Sequence, residues 1–199
     1  WEECTITCSN ALDEHLIQDL LLQGAAVDAF GVGERLITAE SEPVFGGVYK
    51  LAAVEDGGEI VPKIKVSENV SKITVPHFKK TYRFYARDTG KALADYMCIH
   101  DETVDDARPL EIFDPEATWK RKTLTDFTAR ELQVPVFLGG RQVYELPPLE
   151  EIRAYCARQV DTLWDEVKRF DNPHRYYVDL SRRLWELRQE LLEKSRRTE

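Results

Sequence analysis

Apolar and polar positions follow three different rhythms along the 199 residues, and each rhythm marks a zone. In the first zone, residues 1–45, the stretch 3–8 has the pattern of a buried strand, and Cys4 and Cys8 share one of its faces. Ser9-Asn10 follows as a turn carrying helix-capping side chains. Leu12, Ile17, Leu20 and Leu21 then recur at helical spacing until Gly24, a natural stop. Ala26 to Phe30 predicts a second buried strand, which runs into Gly31-Val32-Gly33 and a short Glu34-Arg35-Leu36-Ile37 segment. Strand, helix, strand is a βαβ unit, and such a unit implies parallel strands.

In the second zone, 46–147, the period drops to two and glycine turns punctuate it. Gly47–Val54 and Glu59–Val66 flank Asp56-Gly57-Gly58, and Thr81–Arg87 and Ala92–Ile99 flank Asp88-Thr89-Gly90. Val134–Leu138 and Gln142–Glu145 flank Gly139-Gly140. These are antiparallel hairpin signals. Residues 101–130 keep no clear period and read as loop with short elements. In the third zone, 148–199, Ile152, Tyr155, Cys156, Val160, Leu163, Trp164 and Val167 form one helical stripe, predicting a helix over 149–170 that packs on the chain's own β region. Asn172-Pro173 ends it. A second helix is expected from Asp179 or Ser181, carried by Leu180, Leu184, Leu187 and Leu191, with a polar end over 193–199 that frays. The fold class is therefore α/β plus α+β: a parallel start, an antiparallel β-rich region and C-terminal helices.

Composition narrows the functions. A formal charge of −9, from 27 basic and 36 acidic residues with no basic stripe, excludes nucleic acid as the expected partner. No apolar run approaches the roughly 18–20 residues that cross a bilayer, so no membrane partner is expected. The chain opens on Trp1, inside an apolar pattern and without a signal-peptide signature. It is therefore expected to be a piece of a longer protein. Cys4, Cys8, Cys98 and Cys156 form no C-x-x-C pair, so reduced, mostly buried thiols of a cytoplasmic protein are expected, with no metal site.

The strongest candidate chemistry sits in the first zone. Loops that follow neighbouring parallel strands open on the same sheet edge, and glycines there let backbone N–H groups approach an anion. On pattern alone, a tight turn packed against a helix explains the same residues. Leu36 occupies the third glycine position of G-x-G-x-x-G, which excludes a dinucleotide fingerprint. His15, His77, His100 and His174 have no nucleophile or carboxylate at a diagnostic spacing. The acidic pairs Asp105-Asp106 and Glu150-Glu151 read as solvated faces, and Lys120-Arg121-Lys122 as an exposed or paired basic cluster.

Several segments together resemble one family. Ser9-Asn10-Ala11-Leu12-Asp13-Glu14 is similar to its S-N-x-L-D-E turn, and residues 28–38 are similar to its D-x-F-G-V-G-x-x-L-x-T turn. In the same order come Gly46-Gly47-Val48-Tyr49-Lys50-Leu51, then Pro62 to Asn69, Lys72-Ile73-Thr74, and Asn172-Pro173-His174-Arg175-Tyr176. Nearly the whole chain resembles the C-terminal part of the nicotinate phosphoribosyltransferases. The resemblance implies the end of an irregular α/β barrel (type II phosphoribosyltransferase-like) in 1–45, a β-rich region in 46–147 and helices in 148–199. It implies joining of nicotinate to 5-phosphoribosyl 1-pyrophosphate, giving nicotinate mononucleotide, with ATP hydrolysis and Mg²⁺, in a protein that can form a homodimer. It assigns substrate-phosphate contacts to Ser9, Asn10, Gly31, Gly33 and Glu34, the last through its backbone N–H, because its carboxylate would repel phosphate. The family's catalytic histidine and nicotinate-clamping arginine have no counterpart among these residues. No catalytic residue is therefore assigned, and the isolated chain is expected to be inactive. Pro76-His77 stands where the family usually has Pro-Gly, so that loop is expected to differ.

Two other readings remain open at this point: a nicotinamide or quinolinate phosphoribosyltransferase, and a non-catalytic binding module whose C-terminal helices dock a partner.

Overall fold

A computed structural model describes residues 2–44 and 46–196. Trp1 and the last three residues of the expected polar C-terminal end lie outside the described residues. The chain divides into two compact units, residues 1–49 and 50–199.

In the first unit, β1 (Thr7–Ser9) and β2 (Ala29–Gly31) pair in parallel, joined by α1 (Glu14–Leu22). The βαβ order is as expected, with strands shorter and more exposed than the pattern suggested: Ile6 is 57% exposed and Leu12 is the one buried apolar side chain of the unit among the described residues. The helix begins later than expected. Its N-cap is Asp13, whose carboxylate accepts the Leu16 N–H at 2.8 Å; Ser9 and Asn10 do not cap it. Gly24, at φ +79°, ends the helix, and α2 (Glu34–Ile37) follows β2.

The second unit opens with a hairpin of β3 (Ala53–Asp56) and β4 (Glu59–Pro62), turned by Gly57 and Gly58 at positive φ. Its centre is the long hairpin of β5 (Lys79–Ala86) and β6 (Ala92–Ile99). A second hairpin, β7 (Leu110–Phe113) with β8 (Arg121–Leu124), lies in the stretch whose period was unreadable. So does β9 (Phe127–Glu131), which pairs antiparallel with β5. A small hairpin of β10 (Phe137–Leu138) and β11 (Arg141–Gln142) turns on Gly139-Gly140. Then come α3 (Leu149–Asp161), α4 (Asp165–Lys168), β12 (Val178–Leu180) and α5 (Arg182–Arg196). The main sheet runs β12-β6-β5-β9, with β12 parallel to β6.

Strand alternation explains the core. Tyr82 and Phe84 of β5, with Ala94, Tyr96 and Cys98 of β6, bury one sheet face against Ile112, Leu124 and Phe127. The opposite face carries Ile99, Leu180 and Leu184, with Met97, Trp185 and Leu187 packed around them. On that face Arg83 donates twice to Asp95, at 2.7 and 2.9 Å, and the Tyr176 hydroxyl donates to the same carboxylate at 3.0 Å.

Four expectations need correction. The single helix over 149–170 is broken at residues 162–164, because the β5–β6 turn takes its carbonyls. Lys91 Nζ donates to Asp161 O and Leu163 O, Ala92 N donates to Thr162 O, and Trp164 Nε1 donates back to Ala92 O. The apolar stripe of α3 is not buried on the β region: Ile152 and Tyr155 are about half exposed. The last helix begins at Arg182, not Asp179, since Ser181 Oγ accepts the Leu184 N–H while 178–180 form a strand; it stays helical to Arg196. All four cysteines are free, as expected, but only Cys98 is buried, and burial pushes its thiol up to about 11. No helix among the described residues is long and apolar enough to cross a membrane.

Asp179 in β12 is 4% exposed. Burial, and then the nearby Asp114 carboxylate, push its pKa up to about 6 from an ordinary 3.8, against a weaker pull from Arg175. The unfolded carboxyl ionises near 4 and the folded one near 6. Stability contributed by the neutral folded carboxyl is therefore lost as pH rises through that window. Asp179→Asn should melt with the wild type near pH 4 and be more stable by roughly 2 kcal/mol at pH 7. Melting curves across pH 4–8 check this; parallel curves would show that Asp179 carries no such cost.

Candidate functional site

The candidate site is built by the two turns of the first unit. In the β1–β2 register Ser9 lies directly beside Gly31, and both strands release their turns at the same end. The strands are close there: a Cβ on Gly31 would meet Ser9 Oγ at 3.2 Å and Ser9 Cβ at 3.4 Å. Ser9 Oγ donates to Gly31 O at a long 3.4 Å. Gly31 thus serves strand packing. Gly33 is different, since a Cβ there would find open space.

Past Ser9 the backbone turns sharply. Asn10 takes φ +102° and Ala11 φ +48°, the left-handed region that asparagine tolerates better than most residues. Past Gly31, Gly33 stands at the N-cap position of α2 with no side chain capping it. The first N–H groups of that short helix, at Glu34 and Arg35, fall outside its own hydrogen-bond ladder. Ser9, Asn10, Gly31, Gly33 and Glu34 are all exposed.

Sequence reasoning missed the tie between the turns. Arg35, just after the second turn, donates to Asp13, the α1 cap just after the first, at 3.3 Å, and also pairs with Glu40 at 3.3 Å. Opposite charges trailing both turns were the available signal. Beside them Asp13, Glu14, His15, Arg35, Glu40 and Ser41 line a cleft of about 210 Å³, which none of the five expected residues lines. Glu14 is held below its usual range by its own backbone N–H and by Ser41.

In the second unit His77 and His100, 23 residues apart, stack with ring centroids 5.9 Å apart, because they flank the paired ends of β5 and β6. His77 takes φ +79°, so the loop keeps the conformation a Pro-Gly turn would favour instead of departing from it. Lys79 Nζ stabilises the loop through the carbonyls of Val75, Pro76 and His77. Among the described residues no three His, Cys, Asp or Glu side chains converge as a metal site.

Gly31→Ala should lower stability by about 1–3 kcal/mol, because the added methyl overpacks the strand pair. Denaturant unfolding read from a probe in the first unit measures it; a variant as stable as wild type would show that the strands part freely.

Comparison with known proteins follows the same residues. The family profile of the nicotinate phosphoribosyltransferase C-terminal domain matches residues 78–188. Nicotinate phosphoribosyltransferase of Bacillus subtilis (strain 168) is 39% identical over 183 residues, covering 92% of this chain and 37% of that protein. The human protein of the same name is 33% identical over 189 residues, covering 92% of this chain and 33% of its own length. The crystal structure of human nicotinic acid phosphoribosyltransferase superposes with a TM-score of 0.72 at 28% identity, covering 96% of this chain and 34% of that one. The chain spans about a third of the length of the curated relatives it matches.

Proposed function

This chain belongs to the nicotinate phosphoribosyltransferase family, matching its C-terminal domain, and from that premise we propose that it serves an enzyme joining nicotinate to 5-phosphoribosyl 1-pyrophosphate in NAD biosynthesis, in the cytoplasm. The product is nicotinate mononucleotide, formed with loss of pyrophosphate and coupled to ATP hydrolysis. In this reading 1–45 closes an irregular α/β barrel of the type II phosphoribosyltransferase kind, and its two turns hold the 5-phosphate of the donor.

The observation that carries the assignment is the Ser9–Gly31 pairing followed by the open Gly33 turn. Backbone N–H groups of Gly33 and Glu34 donate to phosphate oxygens, and Ser9 Oγ and the Asn10 amide add side-chain donors. Glu34 contributes through its backbone N–H alone, because its carboxylate would repel phosphate. Ser9 gives up only a long hydrogen bond to Gly31 O in turning to a ligand. Fixing the phosphate fixes the ribose, so that the anomeric carbon meets its partner base in one orientation as positive charge develops there. These residues position the substrate; they move no proton. Among the described residues no three His, Cys, Asp or Glu side chains converge to hold a metal ion, and no step through Mg²⁺ or ATP is assigned to them.

A second reading, a binding module, draws on one observation: the apolar stripe of α3, with Ile152, Tyr155 and Val160 exposed. Turnover separates the two. The complete reading frame should form nicotinate mononucleotide, stimulated by ATP, with nicotinate preferred over nicotinamide. Gly33→Val in that frame should raise KM for the phosphoribosyl donor by about tenfold or more, with KM for nicotinate unchanged. An unchanged donor KM would remove Gly33 from the phosphate site. A well-folded frame with no turnover on either base would favour the binding module.

A further inference from the structure

The two candidate phosphate turns are tied to each other twice. The first tie is the strand register, which sets Ser9 beside Gly31. The second is the ion pair of Asp13 with Arg35, Oδ2 to Nη1 at 3.3 Å. Asp13 lies four residues past Ser9 and Arg35 four residues past Gly31, so each tie joins positions 22 apart. The two ties bracket residues 10–12 on one strand's turn and 32–34 on the other's. The five residues assigned to phosphate, Ser9, Asn10, Gly31, Gly33 and Glu34, all lie on the first tie or between the two.

The first turn has a shape that must be held. Asn10 and Ala11 take φ +102° and +48° in succession. Left-handed backbone at non-glycine residues is costly and persists only where its surroundings fix it. Leu12, 3% exposed, pins the turn by burial. Asp13 then fixes the far end twice over: Oδ1 accepts the Leu16 N–H at 2.8 Å as the cap of α1, and Oδ2 accepts from Arg35. In the second turn Gly33 has no side chain of its own, and no side chain caps α2. Arg35 supplies a side-chain restraint from just outside that turn. Glu40 pairs with the same Nη1 at 3.3 Å, and Ser41 hydrogen-bonds Glu14, so the segment after α2 closes over the same clasp.

The Asp13 and Arg35 side chains are 26% and 38% exposed, so solvent and salt screen their attraction only in part. Both line a cleft that none of the five phosphate candidates lines. Arg35 Nη1 is already shared by two carboxylates. A direct grip of Arg35 on phosphate would also bring the Asp13 carboxylate against an anion.

Building on the phosphate-site reading, we infer that Asp13 and Arg35 are positioning residues whose ion pair holds the two turns at the separation where their donors converge on one phosphate. They act through the backbone between the ties and touch no substrate.

The test is steady-state kinetics of the complete reading frame carrying Asp13→Asn, Arg35→Gln or both, measured beside Gly33→Val. Asparagine keeps the α1 cap and removes only the charge, so the helix start stays intact. Each single variant should raise KM for the phosphoribosyl donor by about threefold to fivefold, with KM for nicotinate and kcat within about twofold of wild type. The double variant should be no worse than either single one, because both break the same contact. A merely structural role predicts something else: a partly unfolded enzyme loses kcat while both KM values stay put. Donor KM unchanged in both single variants, while Gly33→Val raises it, would overturn the inference and leave the phosphate site standing. Gly33→Val without effect would remove the phosphate-site reading and this inference with it. Additive effects in the double variant, or a lower donor KM in Asp13→Asn, would also overturn the inference, since Arg35 would then be meeting the phosphate itself.

Discussion

The larger unit depends on one pairing, that of β5 with β6. Its register is set by more than backbone bonds. Arg83 stands opposite Asp95 and donates two short, partly buried hydrogen bonds to its carboxylate, and the Tyr176 hydroxyl donates a third. A slip of one residue would turn Tyr82 and Phe84 out of the core and leave Asp95 without its guanidinium. Several other elements of the unit lean on this ribbon. β9 pairs with one of its edges and β12 with the other. The break between α3 and α4 is pinned to its turn, and α5 packs where Ile99 ends it.

How much of this could be read in the sequence follows from how local the cause is. The hairpin turns at Gly57-Gly58, Gly90 and Gly139-Gly140 were legible because a glycine at positive φ is a local demand. The strands within 101–130 were not. Phe127–Glu131 is strand-like only beside β5, some 45 residues earlier, and β12 is three residues long with a partner more than 80 residues away. The helix break at 162–164 was hidden for the same reason, since Lys91 and Ala92 impose it from a distant turn. The candidate phosphate turns were legible as a pair because parallel strands send their loops to one edge. The Arg35–Asp13 tie and the buried state of Asp179 needed three dimensions, and Asp179 read as a helix start.

The two ends of the chain handle charge in different ways. At the phosphate turns the proposed contacts are exposed, neutral N–H, amide and hydroxyl groups, so their geometry does not titrate. At Asp179 a carboxyl is carried inside at a cost. One arrangement fits an anion that is always charged near neutral pH; the other is sensitive to acidity.

The close approach of Ser9 and Gly31 also constrains the order in which this protein can change. The serine hydroxyl is the nearest obstacle to any side chain at position 31. Enlargement at 31 is therefore tolerable only after position 9 has already shrunk. On the proposed reading, that first step discards a ligand contact. Neither single intermediate is neutral: one crowds the strands and the other weakens the grip on phosphate. The pair is an evolutionary ratchet, in which each residue holds the other in place without touching the chemistry.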